Sequence, residues 1–514
     1  MNEDELIKLL LLHKAGRGHH LDWPLIHDYI DNIEDQDNTD LSLKGEEFLR
    51  KHKNLVKRIT IELGLVDTED FFDGKRFVPK RLADYLLSVF NFKTTIDNET
   101  VFVYNSNFYK PTGEIKIKET VESVLKENSK IHHVNEVIGH VKRSSYFNRK
   151  DFNKNKKLLN LNNGVLNIET GEFLKHDPKF LMTSQIPINY DPEADCPKIM
   201  EFLGEVLYEK DINIIQEFCG FSLFTDYFIR KAVILHGEGN NGKTTFLLLL
   251  QNFMGNENVS SVSMQEFDKK SFAIAELYGK YLNVYDDMPQ EVMFQTGRFK
   301  QVTGGSPIMA EKKFQNPFNF VNFAKMIFSC NELPKTKDKT PAFFERIIII
   351  TFPYTFVDNP KEEMEKKKKI RTKLLEDLCS KEEKSGLLNW ALIGLKRLLE
   401  NGSFSYSKGA EEVRIEYERK SDPVSAFVDS ELIVDSEKEM DKKLCYSHYV
   451  SFCQENNYST KSYNSFCRSL IETLGTKIHE EQPKIGDKRI RVWVGIRFKE
   501  EEERISDQRG LEGY

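Results

Sequence analysis

The sequence predicts an α/β protein: a mostly parallel sheet covered by helices, preceded by a mainly helical N-terminal region and followed by helices and a terminal β-hairpin. Three observations predict it. Between Lys231 and about Tyr354, short apolar runs alternate with loops and helical segments, which is how strands of a parallel sheet are spaced. Before that, helical patterns such as VPKRLADYLLSVF (Val78–Phe90) dominate a polar, lysine-rich stretch. After about Asp422, two amphipathic segments precede KIHEEQPKIGDKRIRVWVGIRF, a hairpin pattern with Gly486-Asp487 at its turn.

The elements follow in order. Residues 1–160 form the N-terminal region, to which the sequence assigns no role beyond possible DNA or partner binding; within it, ETVFVYNSNFYKP (Glu99–Pro111) reads as a hairpin turning at Asn105-Ser106-Asn107. Residues 161–228 begin with two short strands around Glu169–Gly171 and end in the helical IIQEFCGFSLF. In residues 229–400, AVILHG, YLNVYDD, KMIFSCNE and RIIIITF are strands and KTTFLLLLQNFMG is a helix. The charge run Asp358–Gly386 reads as a solvated helix or linker, and Gly402 stops the helix LLNWALIGLKRLLENG. Residues 420–502, with CYSHYVSFCQENN and SYNSFCRSLIETLG ahead of the hairpin, have the pattern of a winged helix, and 503–514 read as a flexible tail.

Composition narrows the class. At about 150 residues per domain, 514 residues suggest roughly three domains. Hydrophobic residues at 39% suffice for packed cores and exclude disorder throughout. A net charge of −7 repels polyanions on average, so any nucleic-acid surface must be a local basic patch. One such region is Asp441–Glu500, with eleven Lys and Arg against seven Asp and Glu. Seven scattered cysteines without a CxxC pair fit reduced thiols in a cytoplasmic compartment. The acidic start of the chain, and the absence of any apolar run near 20 residues, give no signal peptide or membrane span, and a soluble protein is expected.

One segment carries most of the chemistry. Gly237-Glu238-Gly239-Asn240-Asn241-Gly242-Lys243-Thr244 matches GxxxxGK[ST] between a strand and a helix, with Thr245 next. Consecutive backbone N–H groups and the helix N-terminus form an anion cradle; Lys243 can reach β/γ oxygens, and the Thr244 hydroxyl can ligate Mg²⁺. Asp286 and Asp287 end a later strand, where one carboxylate can serve the Mg²⁺ shell and the other polarise water, the two roles being open between them. Asn331 ends KMIFSC and can lie between the strands carrying the loop and the acidic pair.

The set GEGNNGKTT, YLNVYDDMP, FKQVTGGSPIMAEKKFQNPFNF, KMIFSCNELP and FFERIIIITFP, in this order, resembles superfamily 3 helicases, and within them the phage, plasmid and poxvirus-type primase–helicase group. The resemblance covers about Asn160–Pro353, more weakly the C-terminal winged helix. It implies an AAA+-like P-loop ATPase core working as a hexameric ring, an ATP- and Mg²⁺-dependent DNA helicase translocating 3′→5′ on single-stranded or forked DNA during replication of a virus, plasmid or integrated element. A separate primase or replication initiator is the implied partner. Residue by residue, it makes Lys243 and Thr244 the Walker A pair, Asp286 and Asp287 the Walker B pair, Asn331 the sensor and Arg346 an arginine finger reaching a neighbouring subunit. Apart from the resemblance, Arg346 reads as a surface arginine beginning a strand. Lys312-Lys313, with Phe314, mark the tip of a hairpin expected to face DNA in the ring channel; its plainer reading is a solvated turn. An origin-melting initiator ATPase and an ATP-assembled DNA loader are the alternative functions.

Other clusters suggest less. Asp35-Gln36-Asp37 lies in a polar run with no strand to hold a metal, so the chain is read as lacking a primase site. His13, His19, His20 and His27 read as surface histidines, and Cys445, His448, Cys453 and Cys467 as helix residues whose thiols are core groups.

Overall fold

The computed structural model describes residues 7–8, 50, 52–63, 65–237, 239–289, 292–293, 295–313, 317–360, 365–367, 373–456, 458, 460–485 and 488–500. Glu238, Phe314, the N-terminal histidines, Asp35-Gln36-Asp37, the Gly486-Asp487 turn and the 503–514 tail lie outside them. The chain divides into two units, Met1–Gln185 and Ile186–Tyr514.

The first unit builds a helical layer on a small sheet. Helix α1 (Lys53–Glu62) is followed by a short hairpin, β1 (Phe72–Asp73) and β2 (Arg76–Phe77), whose turn needs Gly74 at φ +59°. Helix α2 (Pro79–Val89) starts on a proline, whose fixed φ suits the first turn. Strands β3 (Phe92–Thr95), β4 (Val101–Asn105) and β5 (Phe108–Lys110) include the expected hairpin, with Ser106 taking the left-handed turn position. Helices α3 (Gly113–Leu125) and α4 (Ile131–Ser144) and strand β6 (Tyr146–Phe147) complete a sheet ordered β5-β4-β3-β6. Val134, Val137, Ile138 and Val141 recur at helical spacing on α4 and are buried with Leu82 and Leu86 of α2. Strands β7 (Leu158–Leu161), β8 (Gly164–Asn167) and β9 (Phe173–Leu174) form a separate antiparallel sheet.

In the second unit, α5 (Pro197–Val206) and α6 (Glu209–Leu223) precede the parallel sheet. Its strands are β10 (Ala232–His236), β11 (Val259–Ser260), β12 (Leu282–Tyr285), β15 (Lys325–Cys330) and β16 (Ile347–Thr351), ordered β11-β12-β15-β10-β16 with every pairing parallel. Helix α7 (Lys243–Met254) follows β10. Between β12 and β15 the chain forms α8 (Gly297–Val302) and an antiparallel hairpin, β13 (Pro307–Ala310) and β14 (Phe318–Val321). Ile308, Ala310, Phe318 and Phe320 face the core while the intervening residues point out, the period-two pattern of a half-buried pair. Asn322, 1% exposed, pins the corner into β15 by donating to the Val302 carbonyl at 2.7 Å and accepting from Ala324 N–H at 3.1 Å.

The charge run leads into α9 (Lys381–Asn401), which ends at Gly402 in the left-handed conformation, as expected. The expectation of a solvated run fails at Glu383. Its carboxylate is buried and accepts from the N–H groups of Lys198 and Ile199 at 3.2 and 3.1 Å, so it caps α5 from across the fold. Helices α6 and α9 touch through glycines: a Cβ on Gly220 would stand 2.2 Å from the Ala391 carbonyl oxygen, and one on Gly394 2.5 Å from that of Gln216. Beside this crossing, Glu217 is wholly buried and accepts from Arg397 Nε at 2.6 Å and from Ser405 N at 2.8 Å.

Helices α10 (Ala410–Ser421) and α11 (Pro423–Glu431) lead to β17 (Leu432–Asp441), α12 (Lys442–Glu455), α13 (Tyr463–Leu474), β18 (His479–Glu481) and β19 (Val492–Phe498). The last three strands form an antiparallel sheet ordered β17-β19-β18. Trp493 is wholly buried at its centre, and Cys445, Cys453 and Cys467 lie in the same core beside Tyr449 and Phe466, whose rings stack at 4.5 Å. All seven cysteines are free thiols. Among the described residues no helix is long and apolar enough to cross a membrane.

Candidate functional site

A parallel sheet directs all its strand C-termini to one edge, and ligands of such sheets bind in the crevice there, where the strand order reverses. In this sheet β15 lies between β10 and β12, although it is made after both. Three chain segments distant in sequence therefore meet: the loop after β10, Asp286 and Asp287 after β12, and Ser329 and Asn331 at the end of β15. They line one cleft of about 430 Å³ with Gly239–Thr245.

The loop is shaped by backbone demands. Gly242 adopts φ +92° immediately before α7, and a Cβ there would stand 2.8 Å from Val206 of α5. Asn240 also takes a positive φ, +55°. Asn241 fixes the loop from inside: it donates through Nδ2 to the Phe352 carbonyl at 3.4 Å, and its Oδ1 accepts from Lys243 N and Nζ at 3.3 and 3.1 Å. Phe352 N–H in turn donates to His236 O at 2.8 Å, and Phe356 N–H to Asn240 O at 2.9 Å, so the segment after β16 backs the loop.

Lys243 is 5% exposed and its Nζ also donates to Gly237 O at 2.6 Å and Asn331 Oδ1 at 3.1 Å. The ammonium thus joins the loop to Asn331, just past the end of β15. Thr244 Oγ1 donates to Asp286 Oδ2 at 2.8 Å, and Ser329 Oγ donates to Asp286 Oδ1. The Asp287 N–H donates to Ser329 Oγ at 2.9 Å, with Asp287 at φ +54°. A hydroxyl and a carboxylate facing each other are hard oxygen donors, suited to Mg²⁺, which takes one or two carboxylates and completes its shell from phosphate and water. His236, at the end of β10, stays neutral: burial and the Lys420 and Lys243 charges hold it down to about 3.

Lys243, Thr244, Asp286, Asp287 and Asn331 are therefore gathered in one cleft, as the sequence reading placed them, and Ser329 joins them unforeseen. Its signal was available: a serine inside an apolar run, wholly buried in the strand, must bond something.

Arg346 departs from its plainer reading as a surface arginine. It is 9% exposed, its Nε donates to Thr303 Oγ1 at 3.2 Å, and a guanidinium N–H donates to the Ala342 carbonyl. Within its own chain the side chain ties the end of α8 to the start of β16. Arg346→Ala should therefore lower folding stability by about 2–3 kcal/mol, the worth of hydrogen bonds to a charged group. Chemical denaturation reads it, and an unchanged midpoint would speak for a surface role instead. Lys312 and Lys313 are exposed in the link between β13 and β14, where a hairpin tip was expected.

A D5 N terminal like family matches residues 71–208, a family of unknown function (DUF5906) matches 235–346, and a poxvirus D5 protein-like family matches 419–501. A candidate helicase of Invertebrate iridescent virus 3, 121R, is 24% identical over 271 residues, 48% of this chain and 29% of the relative. A candidate helicase of Sputnik virophage, V13, is 23% identical over 284 residues, 52% of this chain and 35% of the relative. The matched stretch thus spans about a third of each curated relative's length. Among solved structures, the apo C-terminal region of NrS-1 aligns over 81% of this chain and 99% of that one, with 14% identity and a TM-score of 0.45. The D5 N-terminal-like and poxvirus D5-like matches, with the two viral relatives, make this chain similar to the phage- and poxvirus-type primase–helicase group.

Proposed function

We propose that this chain is an ATP-dependent DNA helicase for replication of a virus, plasmid or integrated element, working as a hexameric ring 3′→5′ on single-stranded DNA. The observation that carries the reading is the meeting of Lys243, Asp286 and Asn331 at one sheet edge, with β15 set between the other two strands. The strand order, with the phosphate loop after β10 and the acidic pair after β12, supports an AAA+-like core; the succession α11-β17-α12-α13-β18-β19 supports a C-terminal winged helix. Both viral relatives are named as candidate helicases.

In this reading the backbone N–H groups from Gly239 to Thr245 and the α7 N-terminus hold the β- and γ-phosphates of ATP. Lys243 exchanges part of its contact with Gly237 and Asn241 for γ-phosphate oxygens. Thr244 and Asp286 would hold Mg²⁺, which supplies charge neutralisation at the leaving phosphate. Asp287, held at its N–H by Ser329, is left to orient the attacking water, and Asn331 senses the γ-phosphate through its bond to Lys243.

Strand displacement on a forked substrate tests the proposal: ATP-dependent unwinding is expected. Hydrolysis or DNA binding without displacement would favour an initiator or loader. The channel hairpin has its own test. Lys312→Ala with Lys313→Ala should abolish DNA stimulation of hydrolysis and unwinding, and flatten the slope of log affinity against log salt by about 1.4 for a single strand. Unchanged unwinding would remove the hairpin from the mechanism.

A further inference from the structure

The first unit carries an open cleft of about 920 Å³ lined by the β1–β2 hairpin and by one face of α4. Its construction follows from the helix. Because α4 buries Val134, Val137, Ile138 and Val141, its other face is turned outward. That face lines the cleft from His132 to Arg143, a stripe about 16 Å long at 1.5 Å per residue. The hairpin turn at Gly74 brings Lys75 and Arg76 to the same cleft, and Lys130 stands at the N-cap of α4, where free N–H groups add positive potential.

Lys75, Arg76, Lys130 and Arg143 thus share one concave surface, with Glu136 the single lining carboxylate among the described residues. Asp73 is the register partner of Arg76 on the hairpin, yet none of the four cations forms an ion pair with a described residue. Other cations of this unit do: Lys142 meets Glu114 at 2.8 Å and Arg149 meets Asp97 at 2.6 Å. Gly139 adds to the design, for a Cβ there would stand 3.1 Å from a guanidinium nitrogen of Arg143, and its absence lets that group lie along the helix. Phe77 and His133 pack ring to ring at 4.6 Å in the lining.

We propose that this cleft binds the phosphate backbone of a nucleic-acid strand. Like charges held along a line with no ion-pair partner among the described residues cost repulsion, which a polyanion of matching spacing relieves. The lining is cationic and hydrogen-bonding along its length, as backbone contacts require, and it carries no sequence-reading geometry. The site is independent of the phosphate loop, so it stands or falls apart from the helicase reading.

The test is made on the full chain without nucleotide. Lys75→Gln, Arg76→Gln and Lys130→Gln together should weaken binding of a labelled oligothymidylate about tenfold at low salt and flatten its salt slope by about two. The same loss is expected when Lys312 and Lys313 are already alanine, which separates this cleft from the hairpin. A duplex of equal length run in parallel identifies the form bound: loss on the single strand alone, or on both, supports the proposal. Unchanged affinity and slope for both would overturn it, as would loss of binding to polyglutamate with DNA binding intact, which would assign the cleft to an acidic protein. If the triple variant melts early, Arg143→Gln at the far end gives the measurement: a drop of about threefold and a slope change near 0.7 are expected, and no change overturns the proposal.

Discussion

Lys243→Ala should reduce ATP turnover by at least about 10²–10³-fold, the usual loss on deleting one preorganised donor to a charged transition state. The structure suggests a larger fall, because the ammonium also holds the loop to Asn331 and removing it frees both. Lys243→Arg should not rescue. A planar guanidinium cannot occupy a buried position where a compact ammonium meets Gly237 O at 2.6 Å and two amide oxygens at 3.1 Å. Phosphate release from the purified variants reads the effect. Turnover at the parental rate in Lys243→Ala would remove the site assignment, and with it the helicase proposal.

The largest stability effect is expected at the crossing of α6 and α9. Arg397→Ala leaves the Glu217 carboxylate wholly buried with its cation gone, and should cost about 3–5 kcal/mol in equilibrium unfolding. The reverse deletion should cost less. After Glu217→Ala, the Arg397 side chain, 29% exposed, can turn toward water, while only Ser405 loses its acceptor inside the fold. Equal costs for the two variants would mean that the burial of Glu217 is not what sets the energy. A parental stability for Arg397→Ala would remove the pair from the account of how these helices are held.

What could be read in advance followed the physics of burial. Strands β10, β12, β15 and β16 are near-continuous apolar runs, because a strand covered on both faces has no polar side to show, and the phosphate-loop spacing announced itself between β10 and the helix after it. Strand β11 has two residues and no pattern to detect. Strand β17 was hidden for another reason: LIVDSEKEMD loses its alternation where the register slips between Asp435 and Glu439, and its central residues are exposed. Glu383 was misjudged, and so was the plainer surface reading of Arg346, since a charged residue in one sequence is assigned to solvent by default; only the fold shows that each makes buried hydrogen bonds. Ser329 was missed because its partner, Asp286, is 43 residues away.

The corner at Asn322 gives the sheet a mechanical property. Strand β14, one arm of the hairpin that carries Lys312 and Lys313, passes through that pinned corner into β15, whose far end presents Ser329 and Asn331 to the phosphate loop. Strand β15 is hydrogen-bonded along both edges, to β10 and β12, and so cannot flex by itself. Its six residues span about 20 Å between that corner and the cleft. In the proposed helicase, a change at the phosphate loop or at the hairpin would therefore have to be met by the sheet as a whole.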